Sequence, residues 1–263
     1  MGRMIVKSRA AAATLFAAVL AVGVTGCAGG KHPKGDTKYV ARDVETLYAQ
    51  AKTSLDRKLY KEAAAQFDEV ERQHPYSVWA RRAELMSAFA YWASRDYPQS
   101  ILSAQRFLSL HPGYKDAPYA YYLIAVCYYE QISDVEHDQK ITGQALDALT
   151  ELVRRYPNTP YAADARLKID LVQDHLAGKE MEIGRFYQAQ KRWAASVGRF
   201  RNVVDTYATT SHAPEALERL VESYLALGLR EEAKKATAVL GYNYPGSKWY
   251  ERAYGLVERY HAA

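Results

Sequence analysis

Cysteine is scarce: the 263 residues contain only Cys27 and Cys127. A chain with so few cannot be a disulfide scaffold, and Cys127, inside the apolar run Leu123-Ile124-Ala125-Val126-Cys127, reads as a small buried hydrophobe. Charge of one sign is missing as well. Lys and Arg number 35 against 30 Asp and Glu, and Arg3, Lys7 and Arg9 fall in the first ten residues. The remainder holds 32 basic and 30 acidic side chains, too even a balance for the basic face that nucleic acid demands. No HExxH, CxxC or Gly-rich phosphate loop occurs, and the seven His are scattered. Nothing therefore points to a catalytic centre, a metal or a bound cofactor. Phe and Trp are few, 6 and 4, but Tyr is abundant at 22. A tyrosine buries its ring and keeps a polar tip, so this bias suggests contact surfaces as well as core.

One long apolar run exists, from Ala10 to Val24, behind the positive start of Arg3, Lys7 and Arg9. It is short for a membrane span, which needs ~20 apolar residues, and residues 1–26 read as a signal peptide. The run ends in Val24-Thr25-Gly26-Cys27. That ending resembles the bacterial lipobox, which implies a diacylglyceryl group on the Cys27 thiol, cleavage before it and acylation of the new amine. Two or more chains anchor a protein stably where one does not. Ala28 stands after the cysteine rather than Asp, which by resemblance favours the outer membrane of a Gram-negative cell. The segment Ala28 to Asp36 is Gly, Pro and Lys without apolar period and reads as a flexible tether, so residues 27–43 form a lipidated linker.

From Val44 onward the chain repeats. Pro75, Pro112, Pro157 and Pro245 each follow an aromatic or His residue, and counting back from them gives the tetratricopeptide frame of helix–turn–helix units. Position 8, where two helices cross, reads Ala51, Ala88, Ala125, Gly184 and Val221; position 20 reads Ala63, Ser100, Ala145, Ser196 and Ala233. Position 11 reads Ser54, Tyr91, Tyr128, Tyr187 and Tyr224, as packing and not chemistry. The spacing predicts an all-α solenoid of five helical hairpins. The turn of repeat three is lengthened over Ser133 to Lys140, and Asn158 to Leu176 form one extra helix between repeats three and four. Two parts follow: repeats one to three with the extra helix over 44–176, and repeats four and five with a terminal helix over 177–263.

In such a solenoid the first helix of each unit lines the groove from positions 2, 5, 9 and 12. In the first three units these positions include Tyr48, Lys52, Arg82, Trp92, Tyr119, Tyr122 and Tyr129, an aromatic surface with a basic edge suited to extended peptides. In the last two they include Arg185, Gln188, Glu215, Glu218 and Glu222, a polar and partly acidic surface. The Lys and Asn pattern used by solenoids that clamp chaperone tails is absent.

The motifs Leu47-Tyr48-Ala49-Gln50-Ala51, Arg72-Gln73-His74-Pro75-Tyr76, Arg154-Arg155-Tyr156-Pro157-Asn158-Thr159-Pro160-Tyr161-Ala162, Leu176-Ala177-Gly178-Lys179-Glu180 and Gly184-Arg185-Phe186-Tyr187, behind a lipobox, resemble the BamD family. The resemblance runs from Tyr39 to about Pro245. It implies a lipoprotein of the outer-membrane β-barrel assembly machine, facing the periplasm beside other lipoproteins of that machine. It also implies that the N-terminal repeats receive unfolded barrel precursors and that the C-terminal repeats contact the barrel subunit BamA. An Arg on the second helix of repeat four makes that contact in the family, and Arg199 stands at the matching place, with Trp193 and Arg201 beside it. At helix spacing its neighbours are Ala195 and Val203, so Arg199 is expected to be uncovered. The inserted turn lacks the family's aromatic and Gly residues, and Trp249 to Ala263 exceeds what a fifth repeat needs. A pilotin-like or secretion-system lipoprotein is the alternative reading.

Overall fold

Proline cannot continue a helix, and it disfavours the α region for the residue before it. In the computed structural model, which describes residues 42–133 and 139–262, Pro75, Pro112, Pro157 and Pro245 each follow the residue that caps a helix, whereas Ala208 stands at the matching place after Tyr207. The helices are α1 (Val44–Asp56), α2 (Tyr60–Gln73), α3 (Val78–Ala93), α4 (Tyr97–Leu110), α5 (Ala117–Tyr129), α6 (Lys140–Arg155), α7 (Pro160–Ala189), α8 (Trp193–Thr206), α9 (Ala213–Ala226), α10 (Arg230–Asn243) and α11 (Lys248–Ala262). No strand occurs among the described residues. The even-numbered helices α2 to α10 stop at His74, His111, Tyr156, Tyr207 and Tyr244, each with φ between −122° and −135°. Asp43, Ser77, Asp96 and Thr159 open α1, α3, α4 and α7 by accepting a backbone N–H three residues on.

Four of the five hairpins share one turn. Lys58, Arg95, Lys191 and Gly228 all adopt the left-handed region, with φ of 62°, 62°, 59° and 75°. The next residue's N–H then reaches back to Ser54, Tyr91, Tyr187 or Tyr224 at 2.8–2.9 Å, closing a Schellman-type end. Only the fifth hairpin places glycine there; Lys and Arg carry about 1 kcal/mol of strain in the others. The third hairpin has no residue of this kind among those described, and residues 134–138 of its expected inserted turn lie outside them.

Position 8 and position 20 are fully buried in every unit, from Ala51 and Ala63 to Val221 and Ala233. Gly184 shows why position 8 must be small. A Cβ there would lie 2.5 Å from the ring of Phe200, which is itself fully buried. Ser100, at position 20, donates to the Ala88 carbonyl at 2.8 Å. Cys127 is buried against Ser100, and burial pushes its thiol up to about 11, so it is packing as expected.

Each hairpin leaves an apolar face that the next one covers. Phe67 and Val70 of α2 pack with Ala83 and Ala90 of α3, and Ala104 and Phe107 of α4 with Ala120 and Leu123 of α5. Leu149 and Leu152 of α6 pack with Ala165 and Val172 of α7, and Phe200 and Val203 of α8 with Ala216 and Leu220 of α9. The last core is closed by α11, whose Ala253 and Val257 sit on Leu217, Val221 and Leu240. The C-terminal stretch that looked surplus is thus the cap that a terminal repeat requires.

The extra helical segment is present but is not a separate element. Residues expected as an inserted helix run without a break into the first helix of repeat four, giving the 30-residue α7. Gly178 at the junction costs only about 1 kcal/mol in a helix, and no proline or cap interrupts the sequence, so the helix continues. The two parts expected to meet near residue 176 therefore share one rigid rod.

Candidate functional site

The expected peptide-binding residues occupy successive places along the solenoid, in three ring groups rather than one sheet of exposed rings. Tyr48 of α1 is half-buried between Phe67 and Trp79, with ring centroids 5.4 and 4.8 Å away. Arg82 lies over Trp79, its guanidinium carbon 5.4 Å from the ring centroid, and is exposed, as is Lys52. Burial raises the Tyr48 hydroxyl, and the Arg82 charge pulls the other way. This corner offers apolar area and two cations to a ligand carboxylate.

The second group is Trp92 of α3. Its indole N–H donates to Glu130 at 3.1 Å, Tyr97 donates to the same carboxylate at 3.1 Å, and Phe89 lies 5.5 Å away. Trp92 and Tyr119 pack on one core cluster around Leu123.

The third group is turned inward. Tyr119 and Tyr122 lie 5.5 and 5.2 Å from Tyr161 of α7. The Tyr122 hydroxyl donates to Asp164 at 2.8 Å, and Lys168 pairs with Asp164 at 2.6 Å. Burial raises both phenols, reinforced at Tyr122 by the Asp164 bond. Burial works against the Asp164 carboxylate, but Lys168 and Tyr122 hold it below its ordinary range. Tyr129 lies under the Lys168 ammonium at 5.4 Å. Sequence reasoning missed Trp79, Tyr161 and Lys168. Trp79 stands in the first turn of α3, ahead of the first groove position Arg82, and the other two belong to the inserted segment 158–176.

The second half departs from expectation more sharply. Arg199 is not uncovered: its guanidinium reaches both oxygens of Glu180 on α7, at 3.3 and 3.2 Å. Spacing along α8 could not reveal this, because the carboxylate comes from the neighbouring helix. Arg201 is exposed and faces Asp205 at 4.0 Å, and Trp193 is half-buried. The expected polar groove is largely interior. Met181, Gln188, Glu218 and Leu225 are buried, and much of the polar set is paired within itself. Arg185 and Arg219 both bond Glu215, at 2.9 and 2.7 Å, and Gln188 bridges Arg219 and Glu222 at 2.7 and 3.0 Å. Burial raises Glu215's pKa, but the two guanidinium groups outweigh it and keep the carboxylate ionised.

The chain matches the model of a family described as outer membrane lipoprotein over residues 40–240. It is 54% identical to an outer membrane protein assembly factor BamD of Caulobacter vibrioides, over 94% of this chain and 80% of that one. The chain belongs to the BamD family. Another member, from Rickettsia prowazekii, is 48% identical over 94% of this chain and 97% of its own, and one from Neisseria meningitidis serogroup A is 30% identical over 80% and 83%. A thermophilic tetratricopeptide protein of Thermus thermophilus superposes at a TM-score of 0.38 with 16% identity, over 84% of this chain and all of that one. Among the described residues of this family member no helix is long and apolar enough to cross a membrane. The expected signal peptide and Cys27, the expected lipid site, lie outside the described residues.

Proposed function

We propose that this family member is a non-catalytic, lipid-anchored subunit of the outer-membrane protein assembly machine. Cys27 carries the diacylglycerol and N-acyl chains and holds the repeats at the periplasmic face. Repeats one to three receive unfolded barrel precursors, and repeats four and five hold the barrel subunit BamA through Trp193, Arg199 and Arg201. The observation that carries the first half is the Tyr48–Trp79 pair, with the exposed Arg82 over Trp79 and the exposed Lys52 one helical turn past Tyr48 on α1. A peptide ending in an aromatic carboxylate can lay its ring on that pair and its charge between the cations. The half-buried Tyr122 acts there as a support for the surface, since its hydroxyl is already bonded.

The test is a photocrosslinking residue at Lys52, compared with the same residue at Lys234 on α10. Capture of a barrel-precursor C-terminal peptide at Lys52 alone supports the reading. Equal capture at both positions, or loss of selectivity for a terminal aromatic carboxylate, removes the groove from the first repeats.

A further inference from the structure

The helix α7 is about twice the length of its neighbours α6 and α8, which hold 16 and 14 residues against its 30. At 1.5 Å per residue it spans about 45 Å, so neither neighbour can cover it end to end. Residues 167, 171, 175, 178, 182 and 186 are spaced by four, four, three, four and four, and therefore fall on a single face about 100° wide. Three of them are large and apolar yet exposed: Leu167 by 66%, Leu171 by 59% and Phe186 by 58%. Single exposed leucines are ordinary, but three in register on one helix are not.

Three clefts line this face in succession. One of about 470 Å³ lies between Leu171, His175 and residues 129–133 at the C-terminal end of α5. The next, about 340 Å³, runs from Leu171 past Gly178 to Glu182 and His212. The third, about 410 Å³, lies between Glu182, Ile183 and Phe186. His175 is shared by the first two and Glu182 by the last two, and each of these residues has a buried polar atom, Nδ1 and Oε2, with no hydrogen bond. Turning His175 outward to meet a ligand breaks no hydrogen bond, and Glu182 would give up only its 3.7 Å approach to Lys179.

We propose that the face of α7 from Leu167 to Phe186 docks an amphipathic, cationic helix of a partner protein, about four turns long. The shape favours a helix. Exposed side chains at four-residue spacing with hollows beside them form the ridge and groove that a second helix fills. From Leu171 to Phe186 the face is about 22 Å long, which fits four turns. The sign of the charge follows from the carboxylates. Glu130 and Asp174 line the clefts and are met by the neutral donors Trp92, Tyr97 and Ser211, with His212 3.7 Å from Asp174, whereas Lys179 and Glu182 offset each other at 3.7 Å and the Arg185 charge is spent on Glu215. This site is separate from the Tyr48 corner and stands or falls independently of it.

The test uses the full chain in lipid nanodiscs and a fluorescent synthetic peptide of about 18 residues, built of Leu, Ala and Lys with Leu at i, i+4, i+7 and i+11. Fluorescence anisotropy should show it binding roughly tenfold more tightly than a scrambled peptide or one with a central Pro. Leu171→Asp and Phe186→Asp should each weaken it by about tenfold with helix content and melting unchanged, since both side chains are exposed. Should either variant melt early, Glu182→Lys decides instead, by shifting preference to a Glu-bearing version of the peptide. Equal binding of the scrambled or Pro peptide overturns the helical occupant. Insensitivity to all three substitutions overturns the site.

Discussion

Repeats one to three and repeats four and five use the same backbone frame for opposite ends. In the first half, positions facing the groove carry rings, with Lys52 and Arg82 left exposed at the edge. In the second half the same positions are closed by contacts within the chain: Arg185, Gln188, Arg219, Glu215 and Glu222 bond to one another, and Met181 and Glu218 are buried. A repeat frame fixes where a side chain starts, whereas its neighbours decide whether it meets solvent. A recognition surface therefore cannot be assigned by column alone.

The largest break to this comparison is at a helix crossing. Ala125→Trp should unfold the third repeat, since a fully buried position 8 has no room, and a loss above ~3 kcal/mol is expected. Denaturant unfolding should show it, and an unchanged midpoint would mean the frame is wrong. A milder overpacking, Gly184→Ala in repeat four, sets a Cβ against the buried Phe200 ring and should cost ~1–3 kcal/mol.

Both halves hold a buried carboxylate whose pKa is raised by burial, Glu84 in the first and Glu218 in the second. Glu84 of α3 is 3% exposed, faces Glu71 of α2, Arg106 of α4 and, at 3.3 Å, His111, and is raised to about 7 by burial first and the Glu71 charge second. Its unfolded value is near 4.5. Because the folded pKa is the higher one, its contribution is intact below about pH 4.5 and is lost as pH rises to 7, by up to ~3 kcal/mol. Urea unfolding of Glu84→Gln should match the parent near pH 4.5 and exceed it near pH 8; equal pH profiles would remove Glu84 as the titrating group. His111, lowered by burial and by Arg81, works in the opposite sense, so the difference between variant and parent is the quantity to read.

The smallest effect sharpens the comparison of partner surfaces. Arg199 is partly exposed, so its pair with Glu180 should contribute under ~1 kcal/mol to folding. Reversing both charges, Arg199→Glu with Glu180→Arg, should keep the pair and the melting temperature. If Arg199 also serves the barrel subunit, the double variant should still lose co-purification with it; retained co-purification would make Arg199 an internal strut only.

By itself the sequence determined the local and periodic features. Small residues at positions 8 and 20 dictate helix crossings, and an aromatic or His before proline marks the ends of α2, α4, α6 and α10, because both depend on neighbours a few residues away. The repeat signal was therefore legible at Ala51, Ala63, Pro75 and their counterparts. Packing between units set the contacts that the local pattern could not. It covered Arg199 with Glu180, turned Tyr122 onto Asp164 and gave the C-terminal tail its role as the cap α11. In each case the deciding partner lies tens of residues away or on another helix, and burial and pairing are properties of that neighbour as much as of the residue itself.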